Sequence, residues 1–299
     1  MQAVLRELMQ AGFCVRLDEP LAGHTSFRIG GPVRGMVFPA GEEELIQAVQ
    51  MLHAAGVRPL LIGNGSNLLA SDGVIERIVI KTHDGVARLE RLAEDAIYAS
   101  AGVLLSRAAV FARDGGRSGL EFAHGIPGTL GGAVFMNAGA YGGEMAQVIR
   151  RVHYLDETLT RRTAAGPELA FSYRHSRFSE TKELILGAEL ALTSGDAAEI
   201  GIRMAELAEK RRAGQPLEWP SGGSAFKRPK AGYAAALIDE AGLKGYAVGG
   251  AQVSEKHAGF VINRGGATCA DVLAVMAHVR ETVFARTGIL LESEVELVE

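Results

Sequence analysis

The chain has 299 residues, room for roughly two domains of about 150 residues each. Its 47% hydrophobic and 22% charged residues suit a globular protein with a buried core. A formal net charge of -4 and a pI near 6.1 argue against a general nucleic-acid binder, which carries excess positive charge.

The N-terminal MQAVLRELMQAGF reads as an amphipathic helix, without the apolar run and cleavage site of a signal peptide. Residues 42–56 place Leu45, Ile46, Val49 and Leu52 at helical spacing, and Gly56 supplies a stop. RPLLI (58–62) reads as a short buried strand, GNGSNLL (63–69) as a glycine turn, SDG (71–73) as a turn and RIVIK (77–81) as a strand. Strand alternating with helix is the habit of α/β folds. Residues 96–100 read as another strand, and 103–116 as a helix with a glycine stop. Residues 119–143 hold eight glycines in 25 positions. Strands are expected near 149–155 and 184–193.

The character changes near residue 195. Residues 194–215 read as a long helix with Asp196 as N-cap. Residues 232–245 and 269–288 read as two more helices, with strand GFVIN (259–263) between them. The reading therefore divides the chain into domains 1–195 and 196–299. ILLESEVELVE (289–299) reads as a strand that returns to pack elsewhere. Two distant cysteines, Cys14 and Cys269, give neither a metal spacing nor a disulfide framework, and fit a reducing cytoplasm. No stretch of about 18 uninterrupted apolar residues reads as a membrane span. Residues 201–230 carry seven cationic against three acidic side chains, either a solvated helix face or a place for an anionic ligand.

Two segments have the composition of pyrophosphate cradles. The first is Gly63-Asn64-Gly65-Ser66-Asn67, directly after a strand. Glycine accepts positive φ and lets backbone N–H groups approach an anion closely, and Ser66 and Asn67 add side-chain donors. It is neither the GxGxxG of a Rossmann fold nor a P-loop, since no GK[ST] follows. A tight turn between strands would account for it equally. The second is Gly125-Ile126-Pro127-Gly128-Thr129-Leu130-Gly131-Gly132-Ala133, stiffened by Pro127 and nearly bare of side chains. That composition suits a flat, bulky ligand or a close helix contact.

The ordered motifs HTSFRIGG (24–31), GNGSNLL (63–69), GLEFAHGIPGTLGGAVFMNAGAYGG (119–143), FSYRHSRF (171–178), PSGGSAFKRP (220–229) and LESEVEL (291–297) resemble the UDP-N-acetylenolpyruvoylglucosamine reductase family. The resemblance runs from about residue 20 to the end. The absence of an insertion between the YR and PSGGS motifs resembles the family's shorter, type II-like variant. It implies an α+β fold: a two-lobed FAD-binding domain of the vanillyl-alcohol-oxidase (PCMH) type, with lobes at about 20–82 and 83–195, plus a smaller α/β substrate-binding domain. The C-terminal strand would contribute to the active site.

The implied reaction is NADPH-dependent reduction of a UDP-linked enolpyruvyl amino sugar through non-covalent FAD, in peptidoglycan synthesis in the cytoplasm. No metal, nucleic acid, membrane or obligate protein partner is implied. Hydride addition leaves a carbanion beside a carboxylate, which calls for a cation or acid and a proton donor. By resemblance Arg174 is the cation, Glu294 the acid and Ser224 the proton donor. Both glycine segments, Gly63, Asn64, Gly65, Ser66 and Asn67 with Gly125, Ile126, Pro127, Gly128, Thr129, Gly131, Gly132 and Ala133, would hold FAD. Tyr173, Lys227, Arg228 and His257 would touch the substrate, although some relatives carry asparagine where Arg228 stands. His124 reads as a packed or flavin-adjacent residue. A flavin oxidase that uses oxygen and a small alcohol, and a non-catalytic nucleotide-sugar sensor, are competing readings. The joint presence of Arg174, Ser224 and Glu294 disfavours both.

Overall fold

The structure is a computed structural model that describes every residue except His83, Glu94 and Lys182. The chain forms two compact units. The first comprises Met1–Arg16, Gly35–Asn64 and Ile78–Arg211, and the second Leu17–Arg34, Gly65–Arg77 and Arg212–Glu299. The lobe boundary expected at 82/83 ends on His83, which lies outside the described residues.

In the first unit an antiparallel five-stranded sheet runs in the order Arg161–Ala165, Ile149–Leu155, Leu184–Ala191, Ala96–Ser100, Leu89–Ala93. Helix Leu105–Asp114 buries Leu105, Ala108, Ala109 and Ala112, and the core around it includes Leu130, Val134, Val152 and Phe178. A second core joins helices Gln2–Gln10 and Glu42–Ala54 through Leu5, Leu8, Leu45, Val49 and Leu52, with Ile78 and Ile80. Fully burying a side chain of this size contributes roughly 1.5–3 kcal/mol. Strand Leu60–Ile62 pairs in parallel with the end of Ile75–Lys81. Most of the other pairings are antiparallel, which makes the fold α+β.

The second unit is built on the antiparallel sheet Ser221–Ser224, Phe260–Asn263, Ala251–Val253, Ala247–Val248. Helix Cys269–Thr287 buries Val272, Val275, Met276, Val279 and Val283. Its start is doubly capped. Thr268 and Asp271 form a capping box, and the Asp72 carboxylate accepts from the N–H groups of Cys269 and Ala270 at 2.7 and 3.2 Å. Gly288, at φ 70°, ends it in the left-handed region.

Helix Ala197–Gly214 appears where expected, and the Asp196 carboxylate accepts from the N–H groups of Ala198 and Glu199. The helix expected over 232–245 is only Ala234–Glu240, because Gly242 and Gly245 take φ of 72° and 79°. The last segment does return: Glu296–Val298 pairs in parallel with Leu68–Ala70. No described helix is long and apolar enough to cross a membrane.

Candidate functional site

In the first unit the strand Leu60–Ile62 delivers Gly63 and Asn64 against the second glycine segment. Asn64 Nδ2 donates to the Pro127 carbonyl at 2.6 Å. A Cβ on Gly63 would lie 2.0 Å from Thr129 Oγ1, so here the bare Cα is demanded by packing. The second segment is pinned by backbone bonds from Leu105 N to Gly128 O (3.0 Å), Leu130 N to Val103 O (2.8 Å) and Gly131 N to Ala101 O (2.9 Å). Gly131 has the same kind of reason as Gly63, since its Cβ would meet Ala101 Cβ at 2.9 Å. Ile126 packs on the core, and Thr129 and Ala133 are buried.

Gly132 differs. It sits inside helix Leu130–Phe135, where glycine costs roughly 1 kcal/mol against alanine. Its Cβ would meet nothing closer than Thr129 Oγ1 at 3.9 Å, so open space lies beside it. Gly63→Ala should therefore lose about 1–3 kcal/mol of stability through overpacking, while Gly132→Ala should be neutral or stabilising. Urea denaturation of the two variants, each stripped of bound ligand, checks the contrast; equal losses would contradict it.

Tyr173 and Arg174 stand at the tip of a two-residue turn closed by reciprocal backbone bonds between Ser172 and His175, each 3.1 Å. Arg174 takes φ 55°, the left-handed conformation such a tip requires. Its guanidinium lies 5.0 Å from the Tyr173 ring centroid and donates to the Gly139 carbonyl at 3.2 Å. The turn is held from below by Asn137, which sequence reasoning missed. Asn137 is fully buried at φ 44°; its Nδ2 donates to Ser172 O and its Oδ1 accepts from Ala146 N, both at 2.9 Å. An asparagine among small residues, a type enriched at positive φ, is the signal that could have found it.

The second unit carries the remaining residues of the first glycine turn. A Cβ on Gly65, at φ 61°, would lie 2.2 Å from the His24 carbonyl oxygen, and Ser26 N donates to Gly65 O at 3.2 Å. Ser66 is half-buried beside them. Asn67 Nδ2 donates to the Glu294 carbonyl at 2.9 Å, and Glu296 N to the Asn67 carbonyl at 2.9 Å. Glu294 N in turn donates to Ala225 O at 2.9 Å, and Phe226 bridges Ser293. Ser224 and Glu294 therefore lie on adjoining, backbone-paired segments.

Ser224 ends a strand with one residue too many. Ser221 pairs with Ile262 and Ser224 with Phe260, so a β-bulge falls at Gly222-Gly223, with Gly223 at φ 79°. Bulges of this kind re-aim the following side chain. Gly222 is bare because its Cβ would lie 2.4 Å from Phe27 Cε2. The segment HTSFRIGG thus acquires a role that its sequence did not disclose: Phe27 fills the space under the bulge, and Ser26 Oγ donates to Ser221 O at 2.6 Å.

Lys227 Nζ lies 3.7 Å from the Glu292 carboxylate. The Arg228 guanidinium lies 4.1 Å from the Tyr233 ring centroid. His257 is half-buried, and burial, assisted by the charge of Lys244, pushes its pKa below the ordinary value, so the ring is neutral at pH 7. Gly259 N donates to its Nδ1 at 3.2 Å, which leaves the ring proton on Nε2.

Residues 215–298 match the family model described as UDP-N-acetylenolpyruvoylglucosamine reductase, C-terminal domain, and residues 33–160 match an FAD binding domain. A UDP-N-acetylenolpyruvoylglucosamine reductase of Clostridium perfringens is 42% identical over 286 residues, covering 95% of this chain and 93% of the relative. The protein of that name from Heliobacterium modesticaldum is 45% identical over 283 residues, covering 94% and 90%. The crystal structure of UDP-N-acetylenolpyruvylglucosamine reductase from Thermus caldophilus is 34% identical and superposes with a TM-score of 0.80 over 96% of this chain and 99% of that one. The domain match and the superposition bear out the expected α+β fold class, an FAD-binding domain joined to a smaller second domain.

Proposed function

The chain belongs to the UDP-N-acetylenolpyruvoylglucosamine reductase family, and from that premise we propose that it reduces UDP-N-acetylenolpyruvoylglucosamine to UDP-N-acetylmuramate with FAD and NADPH, in peptidoglycan synthesis. The observation that carries the reading is the backbone pairing that sets Ser224 and Glu294 on adjoining segments of one unit. The residues present fit FAD: both glycine turns are bare at several positions, and Gly132 faces open space that packing does not explain.

When bound, without a covalent link, FAD would supply the redox chemistry that carries hydride from NADPH to the vinyl carbon. In this reading Gly63, Asn64, Gly65, Ser66 and Asn67, with Gly125, Ile126, Pro127, Gly128, Thr129, Gly131, Gly132 and Ala133, hold it. Arg174 faces the substrate carboxylate and stabilises the negative charge that spreads into it. A fixed donor of this kind is worth about 2.7–4 kcal/mol in the transition state. Glu294, as an acid, supports the same charge, and Ser224 delivers the proton to the carbanion carbon. A hydroxyl is a weak acid, but a carbanion is a strong base, so a short transfer suffices.

Tyr173, Lys227 and Arg228 contact the UDP-sugar, the two cations matching its diphosphate. His257, neutral with its proton on Nε2, donates a hydrogen bond to the substrate. The reading assigns FAD to residues 1–195 and the substrate to 196–299, with the C-terminal strand serving the active site. It includes a cytoplasmic location and no obligate protein partner. The test is NADPH consumption by purified enzyme. Consumption should require the enolpyruvyl sugar and yield UDP-N-acetylmuramate, whereas UDP-N-acetylglucosamine, which lacks the enolpyruvyl group, should support none. Consumption unaffected by the enolpyruvyl sugar would refute the assignment.

A further inference from the structure

The cationic stretch at residues 201–230 contains one side chain with an unusual environment. Arg203 is paired with Glu206 at 2.9 Å, and Lys227 lies near Glu292, both in exposed positions. Arg211, near the end of helix Ala197–Gly214, is half-buried and has no carboxylate partner among the described residues. Burial pushes its pKa below the ordinary value, and the group that opposes this is the hydroxyl of Tyr141 rather than an acid. Desolvating a cation is costly, and buried charges are normally paired. Arg211 therefore lacks the anion that its burial calls for.

Its surroundings say where that anion belongs. Arg211 Cδ lies 3.0 Å from the point a Cβ on Gly125 would occupy, so the stem of the side chain runs along the bare backbone of the second glycine segment. Tyr141, the other group that acts on it, comes from the same glycine-rich stretch and takes φ 54°. A second, independent sign is His124, directly before Gly125: its Nδ1 is buried and has no hydrogen-bond partner among the described residues. Buried polar atoms are seldom left so unless a ligand or water completes them. Within the first unit, then, one glycine segment carries both a cation without its anion and a ring nitrogen without its partner.

We propose that Arg211 is a cofactor-positioning residue whose guanidinium binds an anionic group of FAD presented along the Gly125 segment. The proposal rests on the FAD reading given above. The anion is either the diphosphate, which is charged in every redox state, or the pyrimidine edge of the isoalloxazine, which gains charge on reduction. Both ask the same thing of the residue: a charge-assisted hydrogen bond from a planar donor fork.

The test uses full-length enzyme stripped of FAD, as wild type, Arg211→Met, Arg211→Gln and Arg211→Lys, with thermal unfolding of each to confirm folding. Titration with FAD and with riboflavin, and the midpoint potential of the reloaded proteins, are the readouts. The neutral variants should bind FAD roughly ten- to a hundredfold more weakly, or hold it at a lower potential, and Arg211→Lys should recover part of the loss. A loss for FAD but not for riboflavin assigns the diphosphate; a lowered potential, or a loss for both, assigns the isoalloxazine. Folded neutral variants with wild-type affinity and wild-type potential would overturn the proposal, as would equal losses in the lysine and neutral variants. A wild type that binds no FAD would instead remove the reading on which the proposal stands.

Discussion

Ser224→Ala should leave reduction of the bound flavin by NADPH near the wild-type rate and slow its reoxidation by the enolpyruvyl sugar about 10²–10⁴-fold. The two half-reactions separate because only the second needs a proton at carbon. Replacing the serine takes away one oxygen and little volume. The backbone that places it is fixed independently by the Phe260 pairing and by the bulge at Gly223. Phe27 still fills the space under Gly222. The variant should therefore fold and bind both ligands, and its defect should be kinetic. Stopped-flow absorbance of the two half-reactions checks this. Equal rates in both, relative to wild type, would remove Ser224 from proton transfer.

Replacing Arg174 should produce a defect of similar kind and somewhat smaller size. Arg174→Asn is the informative change, because asparagine tolerates the φ of 55° at that turn tip better than alanine does. The Ser172–His175 backbone bonds and the Asn137 anchor remain. What is lost is the cation and its contact with the Gly139 carbonyl. Reoxidation by substrate should fall about 10²–10³-fold, the cost of removing one preorganised donor to developing charge. Thermal unfolding should hardly move. Unchanged turnover would take Arg174 out of the mechanism, and a large loss of stability would recast it as a structural residue.

The parts of the fold that were legible in the sequence are those whose signal is local. Helix Glu42–Ala54 buries Leu45, Ile46, Val49 and Leu52, a pattern contained within four turns, and Gly56 ends it at φ 70°. Helix Cys269–Thr287 carries its own cap and its own stop. Strands Val15–Pro20 and Arg161–Ala165 were not legible. Both lie at sheet edges, and most of their side chains are exposed, so no apolar alternation marks them. Ser221–Ser224 could not be read as a strand either. Two of its four residues are glycines, and they serve a bulge and the close approach of Phe27.

The candidate site shows the same division. Glycine turns announce themselves by composition, but the reason for each glycine does not. Gly63 and Gly131 are bare because Thr129 and Ala101 press on them, whereas Gly132 is bare with space beside it. Asn137 carries no periodic signal; its importance arises from bonds to Ser172 and Ala146 that exist only after folding. The pairing of Glu296–Val298 with Leu68–Ala70 joins segments more than 220 residues apart and sets Asn67 against Glu294. Pattern reading within a window has no access to such contacts. The roles of Arg174, Ser224 and Glu294 came from family resemblance, since each residue taken alone reads as an ordinary surface side chain.

In the reaction proposed, one flavin accepts electrons from NADPH and passes them to the enolpyruvyl sugar. The most direct measurement is the anaerobic visible spectrum of the purified holoenzyme, recorded alone, after NADPH, and after addition of UDP-N-acetylenolpyruvoylglucosamine. The flavin band should bleach with NADPH and return with the sugar in the absence of oxygen. A band that bleaches and returns only when oxygen is admitted would contradict it.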